Sequence, residues 1–290
     1  MYSKSDLKKY SEAVATIKSI TRVYEEAAAR RIKLIQVSVG KVTEFIGDAA
    51  DTYINVKFGV VADQKAKGGV QKNILSKSFR PKTKKGVLVL ISSRDQYFGN
   101  LIPNLFREWK VEMVKTGFDG IILGNTGKRL LDKTDFVPKN LKTLDLDDNN
   151  PDWNLVSQVG KEIGIYEKVI IFHGQYKTVL NQVATRADVS ETITVGQVQN
   201  VKRYLFEANS DSILAFFEEA VINAMLQLKI YESQIARYAA RIKILEIGQV
   251  AEKMSQVIGD LSRGKRKVRK SLSNKKQLQL YTGVDLWSGG

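Results

Sequence analysis

The chain has 290 residues, 43% hydrophobic and 27% charged, a composition that can bury a core and excludes wholesale disorder. It has no cysteine and one histidine, His173, which rules out disulfides, thiolate–metal sites, thiol nucleophiles and multi-histidine metal centres. A formal charge of +15 points to an acidic partner: nucleic acid, a membrane surface or an acidic protein. No run of about 18 apolar residues is long enough to span a bilayer. The N-terminus has no apolar segment behind its charges, so the expected location is the cytoplasm.

The first element is a long helix. Leu7, Tyr10, Val14, Ile17, Thr21, Tyr24, Ala28, Ile32, Ile35, Val39, Val42, Ile46, Ala49, Tyr53 and Val56 recur at alternating spacings of three and four, with one stutter after Ala28. Fifty residues of helix span ~75 Å, more than an isolated globular helix usually reaches. We assign 1–60 to this helix and 61–85 to a basic linker, where eight lysines and arginines face a single acid, Asp63.

The middle, 86–207, has a different pattern. Gly86–Ser92, Asp119–Gly124 and Lys168–His173 are short, β-branched, unbroken runs of the kind found in strands covered on both faces. Helical stretches at Leu101–Lys115 and Trp153–Ile163 separate them, which predicts a small α/β, Rossmann-like domain with a partly parallel sheet. Gly124-Asn125-Thr126-Gly127-Lys128-Arg129 has only two residues between its glycines and arginine after its lysine, so it reads as a strand-to-helix turn with phosphate binding as the alternative. Asp145–Asp152 is an acidic loop. His173 reads as a structural strand-end histidine, because no Ser–His–Asp or Cys–His set can be assembled around it. Thr192–Phe206 alternates around Gly196 and suggests a hairpin or edge strand.

A second long helix is expected over 208–284, followed by a tail at 285–290. Leu214, Phe217, Val221, Ala224, Leu228, Tyr231, Ile235, Tyr238, Ile242 and Leu245 keep the three–four alternation, and no proline interrupts 211–282. A helix of that length spans ~105 Å, and its stripe can be covered economically by the N-terminal one in an antiparallel coiled coil. An ordinary helical bundle is the alternative. Between Leu261 and Val284 there is no acid, while Arg263, Lys265, Arg266, Lys267, Arg269, Lys270, Lys275 and Lys276 follow one another. Such a basic stretch suits a solvated tail, a nucleic-acid arm, or a tip entering an acidic protein cavity.

These features together resemble the gamma subunit of rotary F-type ATP synthases. Ile17–Tyr24 with Ala27–Arg31 is similar to the family's Lys-Ile-Thr-Lys-Ala-Met and Val-Ala-Ala-x-Lys run. Leu88–Ser93, Asn104–Phe106 and Ile122–Gly127 resemble a family strand, a helix and an Ile-Gly-x-Lys-Gly turn. Gln175–Thr185 resembles the strand ending in Gln-x-Pro-Thr, and Tyr204-Leu205-Phe206-Glu207 the Tyr-x-x-Glu before the last helix. Glu232–Ala240 resembles the Ser-Glu-x-Ala-Ala-Arg-Met-x-Ala-Met signature. Two departures stand out. Ser93–Asn100 replaces a turn that carries glycine and cysteine in the family, and Arg266-Lys267-Val268-Arg269-Lys270 replaces Asn-Lys-Ala-Arg-Gln.

The resemblance implies a rotor shaft with no active site of its own. Its coiled coil would turn inside a ring of alpha and beta subunits, and its central domain would form a foot against an epsilon-like subunit and the membrane c-ring. Ring contacts would fall to Arg22, Tyr24, Arg30, Arg31, Arg263, Lys265, Arg266, Lys267, Arg269 and Lys270. Foot contacts would fall to Arg94, Asp95, Tyr97, Phe98 and Asn100. No metal or cofactor would be held directly, ATP, ADP and Mg belonging to the partner subunits, and the chain would be a peripheral membrane component through its complex. The altered turn leaves open a divergent ATP-hydrolysing motor without a standard proton c-ring. A basic coiled-coil nucleic-acid binder is the alternative outside the family.

Overall fold

The computed structural model describes residues 4–66, 81–95, 98–192 and 210–285. Helix α1 (Lys4–Ala66) opens the chain and α6 (Ser210–Asp285) closes it. Between them lie β1 (Lys84–Ile91), α2 (Leu101–Thr116), β2 (Asp119–Leu123), α3 (Asn125–Asp132), β3 (Leu141–Leu144), α4 (Trp153–Ile163), β4 (Tyr166–Tyr176), β5 (Gln182–Asp188) and the short α5 (Val189–Thr192). Two compact units result: one contains residues 20–243, the other residues 1–19 and 244–290. Among the described residues no helix is long and apolar enough to cross a membrane.

In the larger unit most of the heptad stripe of α1 faces inward. Ala28, Ile32, Ile35, Ala49, Tyr53 and Val56 are buried, although Tyr24 on the stripe is exposed, and Leu34, Val37 and Phe45, off the stripe, are at least half exposed. The partners come from α6 in reverse order. Ala28, Ile32 and Ile35 cluster with Ile235, Tyr238, Ala239 and Ile242; Tyr53 and Val56 cluster with Leu214. This is the antiparallel sense. Near Leu214 the interface also buries Asn55, Lys57 and Glu218. Lys82 lies 3.5 Å from the Glu218 carboxylate. Burial pushes the Lys57 amine below its ordinary value, and Glu218 opposes the shift.

The sheet order is β3-β2-β1-β4-β5, with β1 to β4 parallel and β5 antiparallel at one edge. Alternation along β1 divides its side chains between two layers. Val87, Val89 and Ile91 join α4 and the α6 residues Val221, Ile222, Met225, Leu226 and Ile230. Leu88 and Leu90 join α2, α3 and two α6 alanines, Ala236 and Ala240. Trp109 anchors α2 by donating its indole N–H to the Leu88 carbonyl at 3.1 Å.

Several elements differ from the sequence expectation. Helix α1 continues to Ala66, inside the segment read as linker, because charged residues by themselves do not stop a helix. Strand β3 is only Leu-Lys-Thr-Leu, too short for periodicity to register. Antiparallel pairing with β5 carries β4 to Tyr176, so His173 sits within the strand and not at its end. The hairpin expected over 192–206 lies outside the described residues, except for Thr192, the last residue of α5.

Two outcomes follow from this packing. Ile35→Ala is expected to lower unfolding free energy by about 2–4 kcal/mol, while Leu34→Ala on the exposed face changes it by less than about 0.5 kcal/mol, read by urea denaturation. His173 is 2% exposed, with Nδ1 3.2 Å from the Gly174 carbonyl and 3.4 Å from Glu232 Oε2. Burial foremost, then Lys229, lowers its pKa from 6.5 to about 4, against a raising hydrogen bond to Gly174. In that window the unfolded chain takes up a proton that the folded chain refuses. Stability held above pH 6.5 is therefore lost as pH falls toward 4. The loss is expected to reach roughly 3 kcal/mol, and His173→Asn is expected to remove that component of the pH profile.

Candidate functional site

In doubly wound parallel sheets the ligand crevice opens at the carboxyl ends of the strands, where the strand order reverses. Here that point lies between β1 and β4, since the chain moves from β1 outward to β2 and β3 and then returns to the other side of β1. The residues after β1, Ser92 and Ser93, are buried. The Ser92 hydroxyl donates to the Gly124 carbonyl at 3.1 Å and accepts the Gly127 N–H at 2.8 Å. The Thr126 N–H meets the Ser93 carbonyl at 2.8 Å. Gly124 makes this closeness possible: its φ is +99°, and a Cβ there would stand 2.9 Å from the Ser93 backbone. The glycine-containing turn after β2 is thus spent on gripping the end of β1, and its first N–H groups face protein.

The crevice itself is filled by α6. The Arg237 guanidinium, 3% exposed, donates to the Ser92 carbonyl and lies 3.2 Å from Asp148 Oδ1. The other Asp148 oxygen accepts the successive backbone N–H groups of Arg94 and Asp95 at 2.8 and 3.1 Å. Gln234, one turn earlier on α6, donates to the Asp148 carbonyl at 2.8 Å. Tyr238 donates to the Asn149 side chain at 2.5 Å, and Arg241 reaches Asp95 at 3.4 Å. Residues 234, 237, 238 and 241 occupy one helical face, and every one of them holds the 94–95 or 147–149 loop. Burial lowers the Arg237 pKa from its ordinary value, opposed first by Asp148 and then by Tyr238, while Arg241 adds to the lowering and Asp95 opposes it. Removing one partner of such a pair leaves an uncompensated buried charge, which is why the joint holds as a unit.

Of the residues proposed as foot contacts, Arg94, Asp95 and Phe98 lie at this joint. Arg94 lies 3.3 Å from Asp147 and 3.9 Å from Asp145. Backbone N–H groups of Asn149 and Asn150, with Arg94 behind them, hold the Asp147 carboxyl below its usual range. Asp95 presents its carboxylate to Arg241, and Phe98 is buried with the Arg241 guanidinium 5.0 Å from its ring centre. Asn100 is exposed just before α2, and Tyr97 lies outside the described residues.

The residues proposed as ring contacts lie on helical surfaces. Arg22 is exposed and paired with Glu26 at 3.2 Å; Tyr24 and Arg30 are exposed. Arg31 donates to the Asn149 carbonyl and borders a cleft of about 520 Å³ shared with Tyr24, Asn150 and Tyr238. In the unit of residues 1–19 and 244–290, Arg263, Lys265, Arg266, Lys267, Arg269 and Lys270 are all exposed, with Arg263 2.7 Å from Asp260.

A second polar cluster lies at the opposite, amino edge of the sheet, beside a cleft of about 440 Å³. Tyr166 and Lys84 donate to Asp119 Oδ2 at 2.7 and 3.1 Å, and Asn140 donates to Oδ1 at 2.9 Å. Burial works to raise the Asp119 carboxyl, but these donors together hold it below its ordinary value. Each member has a partner within the cluster, so it fastens the starts of three strands. No group of three His, Asp or Glu among the described residues is disposed to hold a metal.

Sequence reasoning placed Arg237 within a family signature and Asp148 within an acidic loop, but nothing in one sequence links residues 89 positions apart. The usable signal was a Gln-x-x-Arg-Tyr-x-x-Arg face on a helix whose apolar stripe runs alongside it.

No family model and no curated protein sequence matches this chain. Solved structures do. A chain of the central stalk and c-ring of the Tetrahymena thermophila mitochondrial ATP synthase superposes with TM-score 0.55 at 15% identity, covering 79% of this chain and 99% of that one. Chains from two structures of the Euglena gracilis mitochondrial ATP synthase, one of the rotor, one of the OSCP/F1/c-ring assembly, each give TM-score 0.42 at 15% identity. They cover 86% and 92% of this chain, and 99% and 94% of theirs. At 15% identity the likeness to the Tetrahymena chain is one of fold alone.

Proposed function

We propose that this chain is the gamma-like central shaft of a rotary ATP synthase or ATPase. Its α1 and α6 form an antiparallel coiled coil that turns inside a ring of alpha and beta subunits. The observation that carries the reading is the joint at Arg237. The one crevice where an α/β domain of this topology would take a ligand is occupied by a side chain of the long helix. The α/β unit is thereby fastened to α6, which suits a bracket that transmits force better than a binding module. The likeness to the Tetrahymena stalk chain supports the same reading.

The mechanism is mechanical. A shaft that presents different faces to successive catalytic interfaces gives each a different contact energy, so that rotation and site affinity are coupled. The paired stripes of α1 and α6 supply bending stiffness. The exposed cations Arg22, Arg30 and Arg31, and those between Arg263 and Lys270, offer charge to acidic ring loops. The α/β unit, through the Arg94–Asn100 loop, faces an epsilon-like subunit and the c-ring. ATP, ADP and Mg are held by the ring, and the chain joins the membrane through its complex.

Co-expression with alpha and beta subunits of the same source is expected to yield one copy of this chain per ring, read by native mass spectrometry. Arg266→Glu with Arg269→Glu is expected to lower ATPase turnover or torque of that complex severalfold. A free chain that binds duplex DNA with steep salt dependence, and enters no ring, would transfer the protein to the nucleic-acid binders.

A further inference from the structure

The surroundings of Asp148 have the chemistry of an oxyanion site. One carboxylate oxygen takes two successive backbone N–H groups, from Arg94 and Asp95. The other faces the buried guanidinium of Arg237 at 3.2 Å. Adjacent main-chain N–H groups converging with an arginine form a concavity that suits phosphate or sulfate as well as carboxylate. Its position, after the first strand of a parallel sheet at the reversal of strand order, is where such sheets place the anionic part of a ligand.

We propose that this is an oxyanion-binding cradle whose resident ligand is the chain's own Asp148, and that the site takes a tetrahedral oxyanion once that side chain is removed. Asp148 is delivered on a loop held independently: Gln234 grips its carbonyl, Arg31 grips the Asn149 carbonyl, and Tyr238 grips the Asn149 side chain. Tethering gives the carboxylate an effective concentration that free phosphate does not match, so the native chain is closed to it. The same occupancy locks the α/β unit to α6, because the anion is the shared counter-ion of the β1 loop and the helix. The inference concerns this crevice alone and stands whether or not the chain is a rotor shaft.

The test uses the full-length chain, compared in sodium phosphate and in sodium chloride of equal ionic strength. Asp148→Ala is expected to lower Tm by about 5–15 °C in chloride. Phosphate at about 10 mM is expected to restore a saturable part of that loss. The wild type, and the double variant Asp148→Ala with Arg237→Gln, are expected to show no phosphate-specific shift. If Asp148→Ala is unfolded in chloride, the same comparison is read as phosphate-driven recovery of helical circular dichroism. Equal behaviour of Asp148→Ala in the two salts, absence of refolding, or an equal phosphate gain in the wild type or the double variant would each overturn the proposal.

Discussion

The structure depends on the burial of one stretch of helix α6 on several of its sides. Between Leu214 and Ile242 this helix meets α1 along one stripe, the α4 side of the sheet along another, and the α2 side through Ala236 and Ala240. A helix buried on so many sides cannot shift without breaking several apolar clusters at once. The small residues at 236, 239 and 240 let neighbouring backbones approach, and among them Arg237 places its guanidinium against the Ser92 carbonyl and Asp148. Packing sets where the helix lies, and the arginine, with its counter-ion, sets which rotation about its axis is allowed.

That arrangement explains why the crevice at the carboxyl ends of β1 and β4 is occupied by protein side chains. The turn after β2 grips Ser92 and Ser93, the end of β1 grips Asp148, and Asp148 grips the helix. Each contact consumes a donor or acceptor that a nucleotide-binding relative of this topology would present to its substrate. The sheet is thereby fastened to α6.

Much of this was legible in the residues. Ala28, Ile32, Ile35, Ala49, Tyr53 and Val56 of the α1 stripe are buried, because burial on one face is what creates that period, whereas α6 is buried on further faces that the period does not mark. The three central strands were visible because both of their faces are covered, which removes polar residues from the run. What stayed hidden has equally physical causes. Strand β3 owes its place to the pairing of Gly120 through Leu123 with its neighbours, not to its own composition. The ring of contacts around Asp148 depends on residues from three distant segments, and an acid in an acidic loop carries no mark of being the buried one. The likeness to the rotor family found the overall plan; it did not single out the Arg237–Asp148 pair.

Ala28, Ile32 and Ile35 are covered by residues 235–242, some 200 positions further along the chain. At ~5–20 residues per second, a ribosome releases the first helix about 10–40 s before its counterpart exists. Throughout that interval a long apolar ridge is exposed while the inserted sheet completes itself. Biogenesis of this protein is thus a problem of waiting: α1 is made well before the segment of α6 that covers it.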